Sequence, residues 1–241
     1  MNRELKHPVL QSSERGDIQR PVSATQQVYR ELRRQIIVGD IAPAKRLKIE
    51  SLKVSLNTGA SPIREALSLL TSDQLVERID QRGFRTAPVS RDHFHEILML
   101  RCQLEEMAFR KSMQSGSERW EENVVLAHHS LSKCRRSGAS EYETCHKDFH
   151  MSLLSACGSP ILYRFCAQLY DLNIRYRYLA GKSVRYVKRN VFDEHKSILA
   201  AVTESDEHNA VQQLLSHYRL TGEFLGELFE KESLLDKQVA S

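Results

Sequence analysis

The sequence predicts a mainly α protein, with an N-terminal winged helix-turn-helix followed by an all-α helical-bundle domain. Three observations predict it. Apolar residues recur at three- and four-residue spacing through most of the 241 residues. Six prolines and ten glycines are too few for a turn-rich all-β fold. The one stretch with strand character, residues 76–87, follows two short helices joined by a polar turn.

Residues 1–22 lack apolar periodicity and read as a flexible arm. Ser23 with Gln26 forms a capping box that opens a helix over 23–38, with Val28, Leu32, Ile36 and Ile37 as its buried stripe. Gly39 ends it, and a turn containing Pro43 follows. Helices are expected at 49–56 and 62–72, the second opening on Pro62. Short strands at 76–79 and 83–87 flank Asp80-Gln81-Arg82-Gly83 as a hairpin. After Pro88 the pattern is helical. Ser90 caps a helix to about residue 113, Ser117 opens one to about 136, and Ser140 with Glu143 caps one to about 157. Pro160 stands at the first position of a helix to about 180, and helices over 183–204 and 206–231 complete six. The expected units are therefore a flexible arm at 1–22, a winged helix-turn-helix at 23–89, an all-helical domain at 90–231, and a frayed tail at 232–241.

Hydrophobic residues at 41% and charged residues at 27% suit a water-soluble globular chain. The net charge of +4 is unevenly placed: residues 23–89 hold eleven basic against seven acidic side chains, and residues 90–241 hold twenty against twenty-one. A nucleic-acid contact requires its positive charge in that place. The segment from Met1 to Arg20 is polar and unlike a secretory leader, and no apolar run reaches membrane-spanning length. The five cysteines form no C-x-x-C pair. A cytoplasmic location is expected, with the thiols reduced and mostly buried as small hydrophobes.

The helix from Pro62 turns Ile63, Ala66, Leu67 and Leu70 inward and leaves Ser61, Arg64 and Ser68 outward. Arg64 then has the reach to bond a guanine N7 and O6 as a bidentate pair. Arg46, Lys48 and Lys53 are candidate phosphate contacts, and Arg82 with Gly83 suits a wing that approaches the minor groove or backbone. Thr58, in the turn before the recognition helix, joins the expected DNA-binding set.

The run from Val28-Tyr29-Arg30-Glu31-Leu32 to Gly39, the element Pro62-Ile63-Arg64-Glu65-Ala66-Leu67 and the later Gln81-Arg82-Gly83-Phe84 resemble the GntR family of bacterial transcription regulators. The helices that follow resemble the FCD ligand-binding domain of its FadR-type branch. The resemblance spans about Ser23 to Lys231 and implies a homodimer that binds double-stranded DNA at an inverted-repeat operator. Two positions depart from the family pattern. Ala44 stands where glycine is usual after the first-turn proline, and Ala60 stands where an arginine often precedes the recognition-helix proline.

His146 and His150 lie four residues apart on one helix face, and His195 and His217 sit on the two last helices, expected to be antiparallel. Facing helices build metal sites in this way. In the branch that the chain resembles, an aspartate and three histidines surround a divalent metal. His150, His195 and His217 match the histidines, and His146 replaces the aspartate. An all-imidazole set favours zinc or nickel, with a metal-free polar pocket as the alternative.

Arg101 stands among apolar neighbours, and the resemblance implies that it faces the effector cavity as a clamp for a small carboxylate. The alternative is an internal pair with Glu105. Arg175 and Tyr176 are candidate lining residues of the same pocket, while the basic residues Arg175, Arg177, Lys182, Arg185, Lys188 and Arg189 read as a solvated face. A metal-dependent hydrolase is the alternative function. It is disfavoured because Lys147 follows His146 where a zinc peptidase motif needs glutamate as base. The expected function is a ligand-responsive repressor, not an enzyme.

Overall fold

The structure is a computed structural model and describes residues 22–180 and 190–239. The expected arm at 1–22 falls almost wholly outside the described residues, as do residues 183–189 of the penultimate helix and the basic residues Lys182, Arg185, Lys188 and Arg189.

The first unit is three helices and a small sheet. Helix α1 (Ala24–Ile37) starts where the Ser23 hydroxyl accepts the Gln26 N–H, and it buries the expected stripe Val28, Leu32, Ile36 and Ile37. Helix α2 (Ile49–Ser55) and helix α3 (Ala60–Ser72) follow, and α3 buries Ile63, Ala66, Leu67 and Leu70. Helix α3 begins two residues earlier than expected. Gly59 is its cap, so Pro62 lies in the first turn without opening it, a place where a missing N–H still costs nothing.

Strands β2 (Val76–Ile79) and β3 (Gly83–Thr86) form the wing hairpin, with Val76 opposite Thr86 and Ile79 opposite Gly83. A further strand, β1 (Arg46–Leu47), pairs antiparallel with β3 and gives the order β1-β3-β2. The buried Thr86 hydroxyl donates to the Ala42 carbonyl at 2.6 Å and accepts the Lys45 N–H at 2.9 Å, which ties the preceding loop to the sheet. Within that loop Ala44 is left-handed, with φ of +56°. That is the position at which the family pattern has glycine, and a side chain there carries a steric cost of about 1 kcal/mol.

The second unit comprises α4 (Arg91–Ser115), α5 (Glu118–Cys134), α6 (Ala139–Leu154), α7 (Pro160–Ala180), α8 (Val191–Thr203) and α9 (Glu207–Val239). Ser90 and Ser117 cap α4 and α5 as expected, through the N–H groups of His93 and Trp120. The expected capping box at Ser140 does not form. Gly138 occupies the cap position with no side-chain bond, and the Glu143 carboxylate is bonded in the interior instead. Helix α9 continues past residue 231 to Val239, where a frayed tail was expected; the run Glu232-Ser233-Leu234-Leu235-Asp236-Lys237 contains no helix breaker.

Two apolar cores form. One fills the bundle around Phe109, Phe149, Ile198 and Leu214. The other joins Leu32, Ile36, Ile63 and Leu67 of the first unit to Tyr170, Leu172, Ile174 and Tyr176 of α7. Helix α7 therefore belongs to both units.

The cysteines depart from expectation. Cys134 at the end of α5 is bonded to Cys145 of α6 as a disulfide; Cys157 and Cys166 are buried thiols and Cys102 is half-buried. The basic run on α7 is not a solvated face over its described part, because Arg175 and Arg177 are both buried.

Candidate functional site

Helix α6 carries Glu143, His146 and His150 on one face, α8 carries His195, and α9 carries His217. All four rings are buried, and one ring nitrogen from each lies within 4.8 Å of the others. Two of these imidazoles, His146 and His150, are held neutral by their surroundings. Burial, and then the Arg177 charge, hold His146 well below its ordinary range; burial and the neighbouring rings do the same to His150. Neutral imidazole is also the form that binds a metal.

Hydrogen bonds fix the tautomers. Tyr170 donates its hydroxyl proton to Glu143 at 2.6 Å, so its oxygen accepts from His146 Nδ1. Tyr218 donates to Glu105, so its oxygen accepts from His150 Nδ1 at 3.1 Å. Glu194 accepts directly from His217 Nδ1 at 2.7 Å. Each chain ends on a carboxylate, and each leaves the lone pair on Nε2. His150 Nε2 has no hydrogen-bond partner although it is buried. Imidazoles oriented from behind by carboxylates, with the unpartnered His150 nitrogen among them, fit a divalent metal.

Arg101 is buried beside the cluster. Its Nε bonds Glu105 at 2.5 Å and its Nη1 bonds the Asn173 side-chain oxygen at 2.9 Å. Burial opposes its charge, but Glu105 and the flanking Tyr218 and Tyr170 hold its pKa above the ordinary value. Its guanidinium lies 4.1 Å from the Tyr218 ring centre and 4.8 Å from that of Tyr170. The internal pair with Glu105 therefore exists, yet among the described residues Arg101 Nη2 and Asn173 Nδ2 are buried donors without hydrogen-bond partners. Two orphaned donors on adjoining groups suit one carboxylate.

Arg175 and Tyr176 do not join this pocket. The helical turn points them at the joint between the units, where Arg175 Nη2 donates to the Ala87 carbonyl at 2.6 Å. The Tyr176 hydroxyl meets His93 Nδ1 at 2.8 Å and the Ser90 N–H at 3.4 Å. Sequence reasoning missed Glu143, Tyr170, Asn173 and Arg177. Their signal was present as spacing, since residues 170, 173 and 177 share one face of α7.

A cleft of about 290 Å³ lies between α1 and the α6–α7 pair, lined by Arg30, Arg33, Lys147, Asp171, Glu143 and Tyr170 among others. Glu143 and Tyr170 are shared with the histidine cluster. Asp171 bonds Lys147 at 2.7 Å and pairs with Arg33 of α1.

At the other end of the molecule Arg64 is exposed on α3, and among the described residues no hydrogen bond or ion pair holds its guanidinium. Ser61 is exposed and donates to Glu65 at 3.1 Å. Arg46, Lys48, Arg82 and Gly83 are exposed around the sheet, whereas Thr58 is half-buried in the α2–α3 turn. Lys53 is engaged with Glu50 at 2.8 Å.

Comparison with known proteins covers both units. Residues 24–85 match the family described as bacterial regulatory proteins, gntR family, and residues 96–220 match the FCD domain. The HTH-type transcriptional regulator BphR of Paraburkholderia xenovorans is 34% identical over 202 residues, 81% of this chain and 82% of that protein. The HTH-type transcriptional repressor GlaR of Escherichia coli is 32% identical over 197 residues, 78% of this chain and 90% of that protein. Among solved structures, McbR/YncC of E. coli superposes with a TM-score of 0.75 at 21% identity, covering 86% of this chain and 99% of that one.

Because His146 and His150 are neutral in the fold, the unfolded chain binds protons that the native state refuses below pH 6.5. Native stability then falls as pH falls, by up to about 1.4 kcal/mol per pH unit for each ring. Urea midpoints of metal-free protein should drop between pH 7 and 5.5, and the drop should shrink in His150→Gln. A flat profile in the wild type contradicts the neutral assignment.

Proposed function

The chain belongs to the GntR family of bacterial regulatory proteins, with an FCD domain behind its winged helix, and from that premise we propose that it is a repressor released from DNA by a small carboxylate. Residues 23–89 read the operator and residues 90–231 hold the effector. The observation that carries the reading is the junction of Arg101 Nη2 and Asn173 Nδ2, two unpartnered buried donors beside four converging imidazoles. The effector carboxylate takes these donors, and a zinc or nickel ion held in the histidine cluster supplies Lewis-acid attraction for an anionic oxygen.

On the DNA side, Arg64 reads base edges in the major groove with Ser61 and Thr58 beside it. Arg46, Lys48 and Arg82 neutralise phosphates, and Gly83 lets the wing backbone approach closely. A homodimer brings two such faces to an inverted repeat. Exposed Met99 and Met107 on α4 support an apolar contact between copies. The repressing sign is supported by the relative GlaR, which is named a repressor.

Coupling runs through α7. Tyr170 and Asn173 belong to the effector side, while the same helix holds the DNA-binding unit through Asp171 to Arg33, Gln168 to the Ser72 carbonyl and Arg175 to the Ala87 carbonyl. An effector that prefers one setting of α7 shifts the population of recognition-helix arrangements by its differential affinity for the two. Hydrolysis finds no support at this site, because Lys147 is turned onto Asp171 and no carboxylate base follows His146.

Two variants test the reading. With an operator selected from random duplexes, Arg64→Ala should lose sequence-specific binding, by about 1–3 kcal/mol at the contacted base pair, and keep wild-type thermal stability. An unchanged footprint removes the recognition assignment. Arg101→Ala should bind the same operator but no longer release it when small mono- and dicarboxylates are added. Wild-type release from that variant contradicts the clamp.

A further inference from the structure

The four histidines are not equivalent. His150 keeps a buried Nε2 that no hydrogen bond engages among the described residues, and Glu194 orients His217 from behind. His146 differs, because both of its nitrogens are engaged by other groups. Its Nδ1 is held by Tyr170, and its Nε2 lies 3.2 Å from Arg177 Nη1. Arg177 Nη2 bonds Glu143 at 2.7 Å, and Glu143 also accepts from Tyr170 at 2.6 Å. Glu143, Arg177, His146 and Tyr170 therefore close a ring of hydrogen bonds, and all four are buried.

Resting on the metal reading above, we propose that His150, His195 and His217 hold the metal, and that His146 serves as the acceptor that docks Arg177 at its rim. One lone pair cannot serve both an N–H and a cation. For His146 to become a ligand it would have to release the guanidinium, taking the imidazole acceptor from a buried cation that stands beside a divalent ion. Glu143 holds that guanidinium in place and balances its charge. The remaining triad has its own support: His150 Nε2 has no hydrogen-bond partner, and Glu194 orients His217. The ring centre of His195 is 5.2 Å from that of His150 and 4.7 Å from that of His217. Three imidazoles leave the metal open positions for exogenous oxygen ligands. Arg177 stands beside that opening, so the centre favours a small anion that bonds the metal and the guanidinium together. Arg177 is on this account a determinant of effector specificity, acting from the side opposite Arg101.

The test uses full-length protein stripped with chelator and reloaded with cobalt(II), with imidazole ligands counted by X-ray absorption and affinity measured by equilibrium dialysis. Wild type should show three imidazoles. His146→Gln should keep that count and a dissociation constant within about threefold of wild type, whereas His195→Gln should weaken binding by about tenfold or more. Arg177→Gln should free His146 and raise the count to four. Four imidazoles in the wild type, or an affinity loss in His146→Gln equal to that in His195→Gln, overturns the proposal and leaves the metal reading standing. A wild-type chain that takes up no cobalt removes both. The wild-type count needs no variant to fold.

Discussion

Helix α7 is buried on two sides at once, and the rest of the molecule is arranged around that constraint. Every residue from Leu172 to Arg177 is buried. One arc, through Tyr170, Asn173 and Arg177, meets the histidine helices and Arg101. The adjacent arc, through Gln168, Asp171 and Arg175, meets the DNA-binding unit. A helix packed in this way cannot rotate to suit one side without disturbing the other, because close-packed interiors switch between arrangements and do not deform smoothly. The shared apolar core of Leu32, Ile36 and Leu67 with Tyr170, Ile174 and Tyr176 makes that linkage costly to break.

The bundle interior is unusually charged for a core. Glu105, Glu143, Arg101 and Arg177 are all buried there, each with a partner of opposite sign. Such pairs seldom improve stability over apolar packing, since desolvation offsets much of their attraction. Their presence is better explained by what they orient. The two carboxylates set the protons of Tyr170 and Tyr218, and the phenols in turn set the histidine tautomers. Removing either carboxylate would leave a tyrosine free to reverse its bond and present the wrong ring nitrogen.

Much of this was legible in the sequence. The inward face of α3 follows from its apolar spacing, and that same spacing places Arg64 outside. His146 and His150 share a face because they are four residues apart, and the turn at Ser205 returns α9 beside α8, so that the four rings converge. What escaped was decided by tertiary contacts. Strand β1 has two residues, too few for an alternating pattern. Ser140 and Glu143 have capping-box spacing, but Glu143 is taken by Tyr170 and Arg177, partners 27 and 34 residues away in sequence. Arg175 and Arg177 look like part of a basic surface run until the docking of α7 buries them. The pairing of Cys134 with Cys145 likewise depends on how α5 meets α6, which spacing alone does not disclose.

The central claim is that the state of the histidine cluster is felt at the DNA-binding unit through α7. Amide hydrogen exchange on metal-free and nickel-loaded full-length protein tests it most directly. The account predicts that loading changes protection in α6, α8 and α9 and also along α7, in residues 87–93 and in α1. Changes confined to α6, α8 and α9, with α7 and α1 unaltered, would contradict it.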